Sequence, residues 1–181
     1  METATKNLEN DHEHILHLID VMERISGIQQ PNIGHLESIV EIIRNFADGT
    51  HHAKEENILF PLLAERGFSL SQGPVAVMLH EHEQGRNYVR GIDENIQLYK
   101  KGDLAALSGI YQNMNNYADL LRNHIAKENN VLFKMADNVL SETEQKETLY
   151  KFRQAENVGG SYSDSNDYTR RIYELASFYG V

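Results

Sequence analysis

The sequence His124-Ile-Ala-Lys-Glu128-Asn-Asn-Val-Leu132-Phe133 has a near copy upstream, His51-His-Ala-Lys-Glu55-Glu-Asn-Ile-Leu59-Phe60. Both copies read His-x-x-x-Glu, and Leu-Phe follows the Glu at the same distance. Positions i and i+4 lie on one face of an α-helix, so each copy directs an imidazole and a carboxylate the same way. The repeat therefore predicts two long helices whose facing His and Glu side chains form a metal site.

Composition restricts both the class of protein and the kind of metal site. The 181 residues, 40% hydrophobic and 24% charged, suit a globular domain with a sizeable core. Because there is no Cys, disulfides, thiolate zinc sites and Cys-ligated iron–sulfur clusters are excluded, and a metal must be held by nitrogen and oxygen. A net charge of −10 argues against nucleic-acid binding. With no signal-peptide-like or membrane-spanning apolar run, we expect a cytoplasmic protein without membrane partners.

Hydrophobic periodicity predicts an all-α fold. Apolar residues recur at helical spacing along four long segments, and strand-like alternation of useful length is missing from the sequence. The four long helices are predicted at about 8–25, 32–66, 74–101 and 103–135, followed by a fifth at 141–156, a loop at 159–166 and a terminal helix at 168–178. Pro74 suits the first position of its helix, Asp103 can cap the next, and Ser141-Glu-Thr-Glu144 has the form of a capping box.

Short loops between long helices predict their arrangement. Four such helices must pack antiparallel, each burying one apolar face, which gives an up-down-up-down four-helix bundle with a C-terminal helical extension. We expect residues 1–140 to form the bundle and residues 141–181 to form an extension packed on it.

Each helix of the predicted bundle contributes a His from its apolar face. Besides the repeated segment, Asp11-His12-Glu13 in helix 1 matches Glu81-His82-Glu83 in helix 3. Carboxylates buried without a partner are strongly destabilising, and metal coordination removes this conflict. Two carboxylates that can bridge favour a pair of ions, and iron fits this mixture of ligands best. The predicted metal site consists of His12, His51, Glu55, His82, His124 and Glu128.

The sequence resembles the hemerythrin-like family of His-His-Glu cation-binding domains over about residues 7–140. The resemblance is carried by Asp-His-x-x-Ile in helix 1, His-His-x-Lys-Glu-Glu-x-x-Leu-Phe-Pro in helix 2, Glu-His-Glu-x-Gly-Arg in helix 3 and His-x-x-x-Glu in helix 4. It implies a non-heme di-iron centre in a four-helix bundle. By this resemblance the four His are terminal iron ligands, and Glu55 and Glu128 bridge the two irons.

The chain departs from the oxygen-carrying members of that family at two positions. They place a second His one turn after the helix-3 ligand, where this chain has Arg86, and they use an Asp five residues after the helix-4 His, where this chain has Glu128 at four. Losing one imidazole leaves an open coordination position or requires a substitute ligand. The candidates for additional ligands, or for residues in contact with the ligands, are His14, His52, Glu56, His80 and Arg86; His17 and His35 are expected at the surface.

Two classes of function remain open. A binding protein would hold dioxygen, nitric oxide or peroxide for sensing, storage or stress response, whereas an oxidoreductase would reduce nitric oxide or peroxide, or support iron–sulfur cluster repair. Relatives assigned to cluster repair carry a Cys-containing N-terminal segment that this sequence does not show, which disfavours that version. The ferritin-like Glu-x-x-His pattern occurs only at Glu9–His12, and Leu16 stands where a zinc-protease His-Glu-x-x-His motif needs its second His. The sequence does not indicate a redox partner.

Overall fold

The computed structural model of the chain describes residues 2–158 and 162–181. All regular elements in these ranges are helical, which confirms the all-α prediction, and none of these helices is long and apolar enough to cross a membrane. In chain order the elements are α1 (Ala4–Ile25), α2 (Ile33–Ile42), the π-helical segments π1 (Ile43–His52) and π2 (Glu55–Leu59), α3 (Phe60–Glu65), α4 (Gly73–Lys100), α5 (Ala106–Lys127), a third π-helical segment π3 (Glu128–Leu132), α6 (Phe133–Val139), α7 (Glu142–Val158) and α8 (Tyr162–Tyr179).

Four helical rods build the bundle: α1, residues 33–65 (the second rod), α4, and residues 106–139 (the fourth rod). Neighbouring rods run antiparallel, since early residues of one contact late residues of the next. The first rod contacts the fourth through Thr5–Asp137 and Asp20–Arg122, and it contacts the second through Asp11–Lys54 and His14–Phe46. The third rod, α4, contacts the second through Glu56–Arg86 and Arg44–Asp93, and it contacts the fourth through Glu81–Lys127 and Asn95–Gly109. The rods therefore have the predicted up-down-up-down arrangement.

Two apolar clusters fill the bundle and leave a polar layer between them. One cluster, called the upper cluster, contains Ile15 of α1, about one turn after His12. The other, called the lower cluster, contains Leu8, about one turn before His12. The Leu-Phe pairs that end both copies of the repeat are buried in the lower cluster. Hydrocarbon consequently shields the polar layer from water on both sides, which strengthens the electrostatic interactions within it.

The helices after residue 140 pack on the bundle, mainly against α1. Phe152 of α7 is buried in the lower cluster and Ile172 of α8 in the upper one. The predicted capping box is confirmed, because Ser141 N donates to Glu144 Oε2 (2.8 Å) and Glu144 N donates to Ser141 Oγ (3.3 Å). The division of the chain into two domains at residue 140 stays a prediction.

α8 is longer than predicted. It begins at Tyr162, so the predicted loop over 159–166 is wrong from that residue onward, while residues 159–161 lie outside the described part of the chain. Its aromatic side chains also cover two His that were expected at the surface. His35 Nδ1 lies 2.7 Å from Tyr179 Oη, and the His17 ring lies 5.0 Å from the ring of Tyr173. A helix that buries its apolar face on the bundle must cover residues exposed on an isolated α1 or α2.

Two helix starts also differ from the prediction. α1 begins at Ala4, four residues early, because the Thr3 side chain accepts a hydrogen bond from Lys6 N (3.1 Å) and caps it. α5 begins only at Ala106: the Asp103 carboxylate accepts from Ala105 N (3.1 Å) in the preceding turn and does not cap the helix.

Candidate metal centre

Both copies of the repeated motif change from α-helix to π-helix at their Glu. Phe60 N donates to the carbonyl oxygen of Glu55, and Phe133 N donates to that of Glu128, so these bonds span five residues instead of four. The second rod is also π-helical before the motif, along π1. π-Helical turns commonly occur at functional sites, where they change the direction of side chains. Here they direct His51 and the adjacent His52 into the interior, where both are buried.

Gly49 is expected to be required by π1. A Cβ at this position would lie 2.9 Å from the carbonyl oxygen of Arg44, closer than such atoms approach in proteins. We expect Gly49→Ala to lower the free energy of unfolding by about 1–3 kcal/mol, although helix propensity alone predicts a gain of about 1 kcal/mol. Chemical denaturation measures the difference. Gly27→Ala is the control, because a Cβ there meets nothing within 4 Å, and a Gly49→Ala protein of equal or higher stability would contradict the expectation.

The six side chains predicted as metal ligands converge in the polar layer as two pairs of imidazoles with two carboxylates. His12 Nε2 lies 3.0 Å from His51 Nε2, and His82 Nε2 lies 3.2 Å from His124 Nε2. All six residues are at most 1% exposed: His12, His51, Glu55, His82, His124 and Glu128. The structure thus brings together, from four rods, every residue that the sequence analysis assigned to the metal site.

Each carboxylate lies between the two pairs of imidazoles. Glu55 Oε2 is 3.7 Å from His51 Nε2 in one pair and 3.4 Å from His82 Nε2 in the other. Glu128 Oε2 is 3.2 Å from His12 Nε2 and 3.2 Å from His124 Nε2. Two overlapping sets of ligand atoms, each within 4.8 Å of one another, could hold metal: His12, His51, Glu55 and Glu128 in the first, His52, Glu55, His82 and His124 in the second.

A hydrogen bond on the outer side of each imidazole fixes its tautomer. Every Nδ1 atom faces an oxygen that can only accept, so Nδ1 carries the hydrogen and Nε2 presents its lone pair to the interior. The partners and distances are Asn129 Oδ1 for His12 (2.7 Å), Asp11 Oδ2 for His51 (3.2 Å), Glu56 Oε1 for His82 (2.7 Å), Glu81 Oε2 for His124 (3.0 Å) and Asp48 Oδ1 for His52 (3.3 Å).

The interior of the polar layer therefore contains acceptors facing acceptors. None of the four carboxylate oxygens of Glu55 and Glu128 has a hydrogen-bond partner among the described residues. Buried acceptors without a donor are costly, and a proton, a water molecule or a cation can satisfy them. Imidazole nitrogen together with carboxylate oxygen suits iron and similar transition metals, so the residues present fit a metal centre.

The pKa values agree with this arrangement. Burial lowers the pKa of His51 to about 4, and it holds the pKa values of His52 and His82 below their ordinary value. His124 is the exception: burial lowers its pKa, but the Glu128 and Glu81 carboxylates raise it to about 9. Without a metal its Nε2 therefore keeps a hydrogen directed at Glu128 Oε2 (3.2 Å), and a bound cation would replace that hydrogen. Burial and the neighbouring Glu128 raise the pKa of Glu55 well above that of a free carboxyl. A carboxylate in this position is stabilised when a cation neutralises it.

Each copy of the repeat also contains a Lys that binds the carboxylate partner of a metal-facing His. Lys54 Nζ donates to Asp11 (2.6 Å), the carboxylate that holds His51, and Lys127 Nζ donates to Glu81, which holds His124. The two Lys differ in their surroundings. Lys54 is completely buried and also donates to Asn7 and Glu156 (both 2.8 Å), whereas the Lys127 side chain is 42% exposed. Lys54 thereby links α7 to the metal-facing His51.

The structure separates the five additional candidates. His52 lies in the centre, with its ring stacked on that of His82 at 3.9 Å. Arg86 and Glu56 lie just outside it, where the guanidinium donates to Glu56 (2.6 Å) and Asp48 (2.9 Å), the carboxylates that hold His82 and His52. Two candidates lie away from the cluster: His14, which is half-buried against Tyr173 Oη, and His80, which is exposed.

Four of the residues that orient the imidazoles were not predicted from the sequence. Asp11 and Glu81 directly precede His12 and His82, yet each holds the His of a neighbouring rod, His51 or His124. This acidic-residue–His pattern was visible in the sequence, but its meaning depends on which helices are neighbours. For Asn129 and Asp48 no signal beyond their proximity to the motif was available.

Comparisons with known proteins match most of the bundle. The family model described as the Hemerythrin HHE cation binding domain matches residues 3–136. The iron–sulfur cluster repair protein YtfE of Escherichia coli O157:H7 is 35% identical over 89 residues, which cover 48% of this chain and 40% of that protein. The protein of the same name in Cronobacter sakazakii is 34% identical over the same shares. The match thus covers less than half the length of these relatives.

Proposed function

Because the chain belongs to the Hemerythrin HHE cation-binding domain family, whose model matches residues 3–136, we propose that it is a non-heme di-iron protein that binds dioxygen, nitric oxide or peroxide. One observation supports the pair of ions above all others. Glu55 and Glu128 each lie within 3.2–3.7 Å of one imidazole from either pair. Carboxylates between two groups of imidazoles are what a pair of bridged ions requires.

The ligand assignment follows the pairing of the imidazoles. One iron would be held by His12 and His51 and the other by His82 and His124, with Glu55 and Glu128 shared between them. The bound irons would supply the electrons and the vacant coordination positions for a small ligand. The protein's own part is to orient the lone pairs through the Nδ1 hydrogen bonds and to keep water out with the two apolar clusters.

Arg86 has a positioning role in this proposal. It occupies the helix position where oxygen-carrying relatives place another His, and its guanidinium binds Asp48 and Glu56 instead. One imidazole fewer leaves a coordination position open to an added ligand. This difference supports a reactive centre, which acts in sensing or in a stress response, over an efficient reversible oxygen carrier.

Iron–sulfur cluster repair is the second candidate function. It is favoured by the 34–35% identity to proteins named for that activity. The chain has no Cys, so its contribution to repair would be iron held by His and Glu, or removal of nitric oxide or peroxide by reduction. In that case the protein is an oxidoreductase or an iron donor that acts together with a redox or repair partner.

Iron analysis tests the proposal. We expect purified protein to contain about two irons per chain, as a carboxylate-bridged pair requires. Its visible spectrum, recorded anaerobically, should change on adding dioxygen, nitric oxide or peroxide. An adduct that reverses on degassing supports a binding protein, and turnover of the added molecule supports an oxidoreductase. Less than one iron per chain, with helicity and stability unchanged by metal removal, would contradict both functions.

A further inference from the structure

A cavity of about 220 Å³ lies beside the proposed metal centre, between the second rod, α4 and α5. His52 and His82 form part of its wall, so the cavity reaches the imidazoles of the centre. Val89 and Gly85 line one side, and Tyr117 lines the other, with its ring close to Gly85. The cavity is therefore large enough for a small molecule and adjacent to the position left open by the missing imidazole.

Two buried polar atoms on the cavity wall have no hydrogen-bond partner among the described residues: Tyr117 Oη and His52 Nε2. The Tyr117 side chain is 2% exposed. Burial and the charge of Asp48, which also lines the cavity, raise the pKa of Tyr117 above its ordinary value, so the hydroxyl keeps its hydrogen and can donate. Buried polar atoms in native proteins are nearly always paired, so these two atoms require a partner in the cavity, either water or a small ligand that displaces it.

His52 Nε2 is available as an acceptor. Its Nδ1 lies 3.3 Å from the Asp48 carboxylate and carries the ring hydrogen, which leaves a lone pair on Nε2. The internal repeat also argues against His52 as an iron ligand. Its counterpart in the second copy is Ile125. Although His52 lies within reach of one group of ligand atoms, the two pairs of imidazoles and the two carboxylates between them already offer each proposed ion four ligands without it. His52 is thus an addition to a complete, symmetric set.

Two of the three guanidinium groups that line the cavity are paired with carboxylates: Arg86 pairs with Asp48 and Glu56, and Arg44 pairs with Asp93 (2.8 Å). The third, Arg90, is exposed and donates to the neutral side chain of Asn87 (2.8 Å), so water screens its charge. An anion entering the cavity would compete with these carboxylates. The lining consequently favours an uncharged ligand over azide, nitrite or another small anion.

Building on the di-iron function proposed above, we infer that this cavity binds hydrogen peroxide, with Tyr117 Oη donating a hydrogen bond to it and His52 Nε2 accepting one from it. Hydrogen peroxide is small and uncharged at neutral pH, and each of its O–H groups can both donate and accept. Dioxygen and nitric oxide have no hydrogen to donate, so they can satisfy Tyr117 but not His52. Among the ligands considered, peroxide alone matches both atoms.

Ligand titration of two variants tests the inference. Tyr117→Phe keeps the ring and removes the hydroxyl, and His52→Ile copies the residue of the second repeat. In iron-loaded ferric protein, followed by rapid-mixing visible spectroscopy, we expect either change to raise the peroxide dissociation constant about 3- to 10-fold, the effect of one neutral hydrogen bond. Iron content should stay at the wild-type value, and the dissociation constant for azide should change less than about 2-fold.

Tyr111→Phe is the matched control on the same helix. Tyr111 Oη donates to the carbonyl oxygen of Ile28 (2.6 Å), so its loss should lower the melting temperature and leave peroxide binding unchanged. Tyr117→Phe should do the reverse, since its hydroxyl has no partner to lose in the part of the chain that the structure describes. An equal drop in melting temperature for the two variants would show that Tyr117 has a structural partner, and it would overturn the inference.

Further outcomes separate this inference from the proposed function. Loss of iron in His52→Ile would identify His52 as a metal ligand and overturn the inference, as would unchanged peroxide affinity in both variants. If the wild-type protein holds no iron, the proposed function fails, and NMR of the iron-free protein with ¹⁵N-labelled His decides the inference. A peroxide-dependent shift of the His52 ring nitrogen that is smaller in Tyr117→Phe supports it, and the lack of any shift overturns it.

Discussion

Replacing Glu55 by Gln is expected to abolish most iron binding while making the iron-free protein more stable. Mutating a residue that only contacts a metal ligand lowers metal affinity by up to about 100-fold. The amide of Gln cannot bridge two ions as a carboxylate does, so iron affinity should fall by more than this. Without iron, the buried Glu55 carboxylate has its pKa raised by burial and by Glu128. Gln has the shape of the protonated acid and avoids this penalty.

The stability gain should depend on pH. A carboxyl group whose folded-state pKa is raised destabilises the fold only above its unfolded-state pKa, close to the ordinary value of 4.5. The iron-free variant should therefore match the wild-type protein below that pH. It should become progressively more stable than wild type as the pH rises above that value. Denaturant unfolding across this range, together with iron analysis, measures both effects.

Other variants serve as references for the loss of iron. Glu128→Ala and His124→Ala should also lose most bound iron, whereas His35→Ala should not, because His35 contacts Tyr179 of α8 far from the centre. Full iron occupancy in Glu55→Gln would show that the carboxylate does not bridge, and it would contradict the di-iron assignment.

Lys54→Ala is expected to be far more destabilising than Lys127→Ala, although the two Lys occupy the same position in the repeat. Lys54 is fully buried between the carboxylates of Asp11 and Glu156, and these charges raise its pKa despite burial. Removing it leaves those charges without a cation, at a cost of about 3–5 kcal/mol. Lys127 is 42% exposed, so its ion pair with Glu81 contributes about 1 kcal/mol or less.

Thermal and denaturant unfolding of the two variants measure this contrast. Lys54→Ala should also weaken iron binding, because Asp11 orients His51 and depends on Lys54 for its own position. Burial would raise the pKa of Asp11, but His51 and Lys54 lower it to about 2. Equal unfolding free energies for the two Lys variants would mean that α7 does not bury Lys54 in solution. The comparison thus tests how the C-terminal helices support the metal centre.

The six proposed ligands could be found from the sequence because each belongs to a local pattern. His and Glu four residues apart share a helix face regardless of the rest of the fold, and the repeat identified which pairs belong together. The same reasoning placed His12 and His82 on apolar faces. The capping box at Ser141 was equally local, since its two hydrogen bonds join residues three apart.

The positions that the sequence analysis missed depend on interactions between distant segments. α5 begins three residues later than predicted, so Asp103 lies in the preceding turn and does not cap the helix. α8 packs over His17 and His35, which were expected at the surface. Within the site, His52 was only one of several substitutes for the missing imidazole. The π-helical turns brought it into the centre and left His14 and His80 outside.

The sequence by itself determined the helical bundle and the six residues of the proposed metal site, because helical periodicity fixes which side chains share a face. Only the tertiary structure decided how those side chains are held. The partners of the imidazoles, such as Asp11 for His51 and Glu81 for His124, come from neighbouring rods, and the burial of Lys54 depends on Glu156 of α7. Periodicity is a property of one helix, whereas hydrogen bonds between helices depend on their packing.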